Sequence, residues 1–560
     1  MAVELDYADI QGNVLVAYGI QGLYKGRVML FHIDRAESGR KFVTGLLPMI
    51  TTAQACPPGT IADPNKLPVA VNIAFTWYGL LALGIPIRTL RGMPDEFIDG
   101  MINRAPMLGD DFHKDWKDKW DEVWIKGGTE FGPNPNTVHI LVTLNAQMDD
   151  RTGAAVPELE SKTAKINELA QTSGGVTLLK GHNQPRQTAQ PYQEKPYQDL
   201  SLIIKRENGK YVPTPKEHFG FTDGIGDPVF EGQYPKEYEA AKVKGNGAFD
   251  GKGNWRPLST GEFLLGYPDE AREIAGAAMP LDFSRNGTFM AYRKLHQNVA
   301  EFTSFMDKKV EDFRAVAGIE KVDEARETLM AKMVGRWSDG VPLSIAPTFN
   351  EWEAFGEKYP DVTYATDPKG WAARNVALAN FSYGDDPDGI KCPLTSHMRR
   401  VNTRDGLGPS GGDGSILTNR RRILRRGSLY GNSPDSDQAT DEQGVVMLIV
   451  CASLFRQFEF VQQQWINYGL DAGAGSDTCP IVGNHSPGGK HGPAAKFVIP
   501  ADPASGRLPF IVEGITQFVE GVPQFVEGIP QFVETRGGEY FFVPSMTALR
   551  MIGMGVVDPT

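Results

Sequence analysis

The stretch RVMLFHI (27–33), followed by RAESGRKFVTGLLPMI (35–50), carries the clearest fold signal in this sequence. The first run is short and apolar, as expected of a buried strand, and the second spaces its apolar residues like one face of a helix. A further apolar run, TVHILVTLNA (137–146), predicts another strand in the same half of the chain. Strands and helices that alternate in this way indicate an α+β domain.

Four segments farther along extend this pattern. The run 69–85 predicts a buried strand leading into a helix, because Asn72 and other polar or small residues interrupt it too often for a membrane span. The stretches 261–268 and 287–295 predict strands, and 298–311 has the apolar spacing of an amphipathic helix. Residues 444–469 predict a buried strand followed by a helix that forms one wall of a pocket.

The sequence between about 148 and 215 is polar and rich in turn residues, most clearly at 181–198. We therefore predict a surface loop and linker there, and two domains, residues 1–215 and 216–560. The motif QFVE recurs at 515–535 with Pro and Gly in each unit, which excludes a coiled coil. Short extended segments and turns in a surface loop are expected instead.

Composition narrows the function classes. The chain has 560 residues, is 41% hydrophobic and carries a formal net charge of −12. An acidic chain is unsuited to nucleic acid or an anionic membrane surface as its main partner. It shows no signal-peptide pattern and has four scattered cysteines without a CxxC pair, so we expect buried free thiols and a cytoplasmic location.

Most of the nine histidines have simple structural interpretations. His32 and His139 lie in apolar strands and are expected in the core, and His113 lies in a charged run typical of a solvated face. His485 and His491 bracket a glycine-rich loop, where a metal site would need a third ligand that the sequence does not show.

His397 has a different context, because Arg399, Arg400 and Arg404 follow it closely. A neutral imidazole can bind haem iron while guanidinium groups pair with the two propionates. A surface cluster of charges is the alternative for such a sequence.

Two more segments have the residues for such a site. Asp223 lies among glycines in HFGFTDGIGDP (218–228), where the backbone can approach a flat ligand closely; a simple Asp-Gly turn is the alternative. The run RRRILRRGSLYG (420–431) has five arginines in its first seven residues. Its interleaved apolar residues favour partial burial around an anion or a haem edge over a phosphate or nucleic-acid site.

Together these segments resemble the dye-decolourising peroxidase family in its longer form, and matching blocks cover most of residues 216–550 in the family's order. The N-terminal half matches more loosely, mainly through ADIQGNVL (8–15). The matching blocks are GFTDGIGDP, NGTFMAYRKLHQNVAEF, KMVGRWSDGVPL, DDPDGIKCPLTSHMRRVNTRD, RRILRRGSLYG, RQFEFVQQQWIN and GGEYFFVPSMTALR.

The resemblance implies an α+β fold of two ferredoxin-like domains, with antiparallel sheets and flanking helices, and one haem b per chain in the C-terminal domain. It also implies roles for individual residues. These are Asp223 and Arg425 as catalytic groups, His397 as the iron ligand, Gly224, Ile225, Gly226, Arg404 and Asp477 as further cofactor contacts, and Tyr430 as an electron-transfer residue for bulky dyes.

Some of these roles depend on alignment. Arg425 is preferred over Arg426 because the family places its arginine six residues before the glycine that here is Gly431. Asp477 resembles an acid that accepts a hydrogen bond from the iron-bound imidazole, although the family's Asp-Pro pair is replaced here by Asp-Thr-Cys-Pro. Val445 and Met447 stand where the family often has larger Leu and Phe. Tyr430 as a core tyrosine is an equal alternative.

The resemblance implies reduction of hydrogen peroxide and oxidation of dyes, phenolic or other aromatic reductants through a ferryl intermediate. Asp223 would shuttle the peroxide proton and Arg425 would stabilise the developing charge, with the best activity on the acid side of neutrality. A haem-handling protein without turnover and a phosphate-binding hydrolase are the alternatives. The natural reductant and the oligomeric state stay open.

Overall fold

The structure is a computed structural model. It describes residues 3–59, 67–110, 116–127, 134–183, 193–250, 252, 254–362, 366–407, 416–431, 442–475, 477–485, 495–502, 506–512, 515–519, 522–527 and 529–556.

In these ranges, nine strands form one antiparallel sheet. They are β1 (Lys25–Ile33), β2 (Val69–Phe75), β3 (Ile140–Ala146), β4 (Val176–Leu178), β5 (Gln198–Ser201), β6 (Thr288–Gln297), β7 (Leu424–Tyr430), β8 (Gly444–Cys451) and β9 (Val533–Val543). Their spatial order is β7-β8-β6-β9-β2-β3-β1-β4, and β5 also pairs with β1. β9 and β2 meet at the pair Phe542 and Phe75, so the sheet is continuous through both halves of the chain.

Helices flank this sheet. The longer ones are α1 (Ala36–Leu46), α2 (Glu158–Ser173), α3 (Lys236–Val243), α4 (Val299–Ala317), α5 (Val322–Val334), α6 (Phe349–Lys358), α7 (Pro368–Ala379) and α9 (Met546–Met554), and a short helix, α8 (His397–Val401), lies between α7 and α9. Further short helices are Gly12–Leu15, Trp77–Ala82, Ile87–Leu90, Asp95–Asp99, Ala105–Leu108, Trp116–Lys119, Glu122–Lys126, Leu281–Ser284 and Ile416–Asn419. Four two-stranded ribbons lie outside the sheet: Ile204–Glu207 with Lys210–Pro213, Ala248–Phe249 with Trp255–Arg256, Phe497–Ile499 with Phe510–Val512, and Ile515–Val519 with Val522–Glu527.

Most of the predicted elements are confirmed. The run 27–33 lies within β1, the run 137–146 contains β3, and the run 287–295 overlaps most of β6. The run 69–85 is a strand followed by a helix, and residues 299–311 lie within α4, with Asn298 as its N-cap. Residues 444–469 form β8 and then two π-helical segments, Leu454–Glu459 and Val461–Ile466, and the QFVE repeat contains the last ribbon.

Two sequence predictions are wrong. Residues 261–268 are not a strand: a 3₁₀ turn at Thr260–Glu262 leads into further turns, and their apolar side chains are buried without joining the sheet. Short apolar runs report burial more reliably than they report strand pairing. The predicted loop and linker at 148–215 contains α2 as well as β4 and β5. The polar composition of this segment suggested a loop because the helix α2 buries only four residues, Leu159, Thr163, Ile166 and Ala170.

The division into residues 1–215 and 216–560 stays a prediction. Strands β1–β5 all precede residue 215 and β6–β9 all follow it, but one sheet passes through both groups. Among the described residues, no helix has the length and apolar character needed to cross a membrane.

Candidate haem and peroxide site

A cavity of about 380 Å³ lies against the C-terminal part of the sheet. Its sheet wall comes from alternate residues of β6, β7 and β8, because successive side chains of a strand point to opposite faces. Eight of the residues that the sequence singled out line this cavity: Asp223, Gly224, Ile225, Gly226, His397, Arg425, Val445 and Met447.

The loop around Asp223 requires glycine. Gly224 and Gly226 have φ values of 77° and 89°, in the left-handed region that other residues rarely adopt. A Cβ atom on Gly224 would meet no atom within 4 Å, so the loop presents open space there. The Gly224 N–H donates to Asp223 Oδ1 at 2.7 Å. Asp223 therefore caps its own turn and also faces the cavity.

Asp223 and Arg425 form an ion pair in this cavity, with Arg425 Nη2 donating to Asp223 Oδ1. Burial alone would raise the pKa of Asp223, but the charge and hydrogen bond of Arg425 and the Gly224 N–H hold it below its ordinary value. Asp223 in turn raises the pKa of Arg425. The carboxyl group is therefore kept ionised beside a fixed positive charge.

The two adjacent arginines of β7 are separated by the strand alternation. Arg426 does not line the cavity; its Nε donates to the Asn13 carbonyl at 3.1 Å and its Nη1 to Asp227 Oδ2 at 2.8 Å. Earlier members of the run also have partners, since Arg420 pairs with Asp269 at 3.0 Å. The arginine run is therefore divided among several partners and does not form one phosphate site.

His397 is the first residue of α8, and its ring lines the cavity. Its Nδ1 lies 3.2 Å from Sγ of Cys479. The sequence-based choice of Asp477 as the partner of this nitrogen is wrong, because Cys479 holds that position. The acid lies two residues earlier, where its charge acts on Arg400. A loop with Cys-Pro in place of Asp-Pro shifts the register that the family pattern suggested.

The arginines next to His397 do not reach the cavity. Arg399 pairs with Asp386 at 2.7 Å, and Arg400 Nη1 donates to the Trp465 carbonyl at 3.0 Å. The prediction that Arg404 contacts the cofactor is also not supported. Its Nη1 donates to the carbonyls of Ala379 and Phe381, which holds it behind the Phe381 ring and away from the cavity lining.

Arg336 was not singled out by the sequence, yet it lines the cavity. Its Nη1 donates to the Gly340 carbonyl at 2.7 Å, while its Nε and Nη2 are buried without a hydrogen-bond partner. Burial lowers its pKa. A buried guanidinium with two unused donors is suited to an anionic ligand. Its block, KMVGRWSDGVPL, was among those carrying the family resemblance.

The N-terminal half also contributes to the cavity, through residues 108–110, 116, 119 and 120. Asp110 forms an ion pair with Arg293 of β6 at 2.5 Å, and both side chains are almost fully buried. The site is therefore built mainly, but not solely, by the C-terminal half.

Tyr430 is a core residue. It is 4% exposed, lies on the sheet face away from the cavity, and packs with the Lys294 ammonium 4.9 Å from its ring centroid. The structure therefore places it in the core and not at the surface, and its role in electron transfer stays a prediction. Trp116 and Trp120, by contrast, line the cavity with ring centroids 5.1 Å apart.

The other histidines and the cysteines follow their structural interpretations. His32 and His139 are buried and stack with ring centroids 4.3 Å apart. Both ring nitrogens of His485 lie 2.6 Å from backbone carbonyls, whereas His113 and His491 lie outside the described residues. All four cysteines are buried and free. Within the described ranges, no group of three His, Cys, Asp or Glu side chains could hold a metal ion.

The cavity fits a haem. It offers a single imidazole as an axial ligand, a glycine loop that leaves open space, and a buried guanidinium with free donors for a carboxylate. The Asp223–Arg425 pair supplies an acid–base group and a fixed positive charge in the same cavity. Fold and site define the class as a haem-dependent oxidoreductase that acts on peroxide.

Comparison with known proteins agrees with this class. A family model described as "DyP dimeric alpha+beta barrel domain" matches residues 9–177. Peroxidase 2 of Mycetinis scorodonius is 26% identical over 98% of this chain and 88% of its own length. A multifunctional dye peroxidase of an Amycolatopsis species is 28% identical over 97% and 95%, respectively.

Solved structures show the same fold. A dye-decolorizing peroxidase in complex with 2,6-dimethoxyphenol has a TM-score of 0.66 and 24% identity, with 98% of this chain and 100% of that chain covered. A fungal peroxidase from Auricularia auricula-judae has a TM-score of 0.66 and 22% identity, with 99% of each chain covered. Over nearly its whole length, the chain is therefore similar to dye-decolourising peroxidases.

Proposed function

We propose that this chain binds one haem b through His397, reduces hydrogen peroxide, and oxidises dyes, phenols and other aromatic reductants. The observation that carries the proposal is the contact between Asp223 and Arg425 in the cavity that His397 also lines. The curated relatives, which are named peroxidases and dye-decolorizing peroxidases, support it over a haem-handling role.

In this proposal, Asp223 and Arg425 have different roles in the reaction with peroxide. Haem, when bound, supplies the iron that coordinates peroxide and takes up its oxidising equivalents. Asp223, kept ionised by Arg425, accepts a proton from one peroxide oxygen and returns it to the other, which leaves as water. Arg425 donates hydrogen bonds to the oxygen on which negative charge develops.

Other residues hold the cofactor. His397 would hold the haem iron, the Gly224–Gly226 loop would leave room for the flat ring, and Arg336 would pair with a propionate through its two unused nitrogens. We assign this role to Arg336 in place of Arg404, because only Arg336 lines the cavity.

We also propose a phenolic or similar aromatic molecule as the reductant, since a structural relative is described in complex with 2,6-dimethoxyphenol. A cytoplasmic location is part of the proposal and is supported by four buried free cysteines, which suit a reducing compartment. Cell fractionation with a tagged chain tests it.

Peroxide-driven turnover of 2,6-dimethoxyphenol by the purified haem-loaded protein tests the function. We expect a Soret band in the wild type that is lost in His397→Ala, and turnover that collapses in Asp223→Asn while the Soret band is kept. A wild type with a Soret band but no turnover would favour the haem-handling alternative. A wild type that takes up no haem would overturn the proposal entirely.

A further inference from the structure

The partner of His397 in this chain is a sulfur atom. Sγ of Cys479 lies 3.2 Å from Nδ1, the nitrogen that stays free to donate a hydrogen bond when Nε2 binds iron. Cys479 is fully buried and does not line the cavity, so its side chain meets the imidazole from behind.

The backbone holds Cys479 firmly in this place. Its N–H donates to the Ile466 carbonyl at 2.7 Å, and its own carbonyl accepts from the Gly483 N–H at 3.0 Å and lies 2.6 Å from Nε2 of His485. The first bond ties the loop to the end of a π-helical segment and the last ties it to a buried histidine. Because the backbone of Cys479 is held at both its N–H and its carbonyl, its side chain can set the orientation of the ring that it contacts.

A buried arginine, Arg400, lies near Cys479. Arg400 is fully buried next to the contact, and its Nε and Nη1 donate to the carbonyls of Thr395 and Trp465. Its positive charge acts on Cys479. The sulfur that contacts the His397 ring is therefore under the influence of a buried positive charge.

The acceptor bonded to Nδ1 controls how strongly an imidazole donates to a metal. A carboxylate oxygen is a strong acceptor that raises the donor strength of the imidazole, whereas a cysteine sulfur is a weaker hydrogen-bond acceptor than oxygen. We infer that Cys479 is the positioning residue for His397 and that it makes His397 a weaker donor to the iron than a carboxylate would. This inference rests on the proposed function, because it concerns the haem ligand of that site.

Spectroscopy of haem-loaded variants tests the inference. In Cys479→Ala, the iron–imidazole stretching band of the ferrous protein should shift to lower frequency, and the iron(III)/iron(II) midpoint potential should become more positive. In Cys479→Asp, the carboxylate should move the band to higher frequency and the potential to more negative values than in the wild type. Cys479→Ser, close to isosteric, should stay nearest to the wild type and shows whether the loop still folds.

Cys56→Ala is the matched control, because Cys56 is a buried free cysteine in the N-terminal half and is absent from the cavity lining. It should leave both signals unchanged. A Cys479→Ala protein whose band and potential match those of the wild type would overturn the inference while leaving the proposed function intact. Absence of a Soret band in the wild type would instead remove the proposed function.

Discussion

Arg425 and Arg426 are neighbours in β7, yet their side chains lie on opposite faces of the sheet. Arg425 contacts Asp223 in the cavity, whereas Arg426 donates to the Asn13 carbonyl and to Asp227. The alternation of a strand thus places one arginine in the cavity and lets the other hold the N-terminal segment.

This relationship predicts that replacing either arginine by leucine affects a different property of the protein. Arg425→Leu should slow the reaction with hydrogen peroxide by about a hundredfold or more, because a fixed donor to the developing charge is lost. Stopped-flow absorbance at the Soret band measures this rate. Haem content should stay close to that of the wild type.

Arg426→Leu is the matched control. It should leave the peroxide rate near that of the wild type and lower the free energy of unfolding by about 1–3 kcal/mol, because a buried carbonyl and a carboxylate lose their donor. A peroxide rate that falls in Arg426→Leu and not in Arg425→Leu would reverse our assignment.

The pH dependence of the peroxide reaction should report on Asp223. Its pKa in the folded protein is lowered, so the ionised base persists below the ordinary value of about 3.9 and is lost only as the pH falls through the lowered pKa. In Arg425→Leu, burial acts without the compensating charge, so the pKa of Asp223 should rise and the acid limb should move to higher pH. The measurement is the peroxide rate of both proteins between acid and neutral pH. If the rate of Arg425→Leu fell off at the same acid pH as that of the wild type, this prediction would be wrong.

Arg336 and Arg404 make a second matched pair for haem binding. Each is buried with two unpartnered nitrogens and donates to two backbone carbonyls, but only Arg336 lines the cavity. Arg336→Met should weaken haem binding by about tenfold to a hundredfold, as expected for one charge-assisted hydrogen bond. Haem titration of the apoprotein measures it, and an equal loss in Arg404→Met would refute the distinction.

The buried pair of Asp110 and Arg293 joins the two halves of the chain at the cavity. Asp110→Asn should lower the free energy of unfolding by about 3–5 kcal/mol, since it leaves the Arg293 charge buried without its partner. Urea denaturation measures this loss. Lys119 forms an ion pair with Glu534 that also joins the two halves, but its side chains are more exposed to solvent. Lys119→Met should therefore lower the free energy of unfolding by only about 1 kcal/mol or less. Equal losses in the two variants would argue against burial as the cause.

Tyr430→Phe should leave the oxidation of bulky dyes unchanged, because the ring is buried on the sheet face away from the cavity. Steady-state rates with an azo dye and with a small phenol, compared in the same preparation, provide the measurement. A selective loss of the azo-dye rate would show that electrons do pass through Tyr430.

Much of the fold could be predicted from local sequence. Apolar runs indicated β1, β3, β6 and β8, because a buried strand needs only its own residues to be apolar. The helix α2 was missed, since a helix that buries one residue per turn has a mostly polar sequence. The run 261–268 was wrongly predicted as a strand, because buried residues in a turn are as apolar as those of a buried strand.

The sequence by itself singled out Asp223, His397 and Arg425 as candidate site residues, through motifs that resemble a family, and all three line the cavity. Only the tertiary structure decided which side chains meet. Strand alternation chose Arg425 over Arg426, the backbone carbonyls that Arg404 binds removed it from the cavity, and the loop at 477–483 gave His397 a sulfur partner 82 residues away. Composition and periodicity reflect only residues that are close in sequence. Hydrogen bonds and cavities depend on which distant segments the fold brings together.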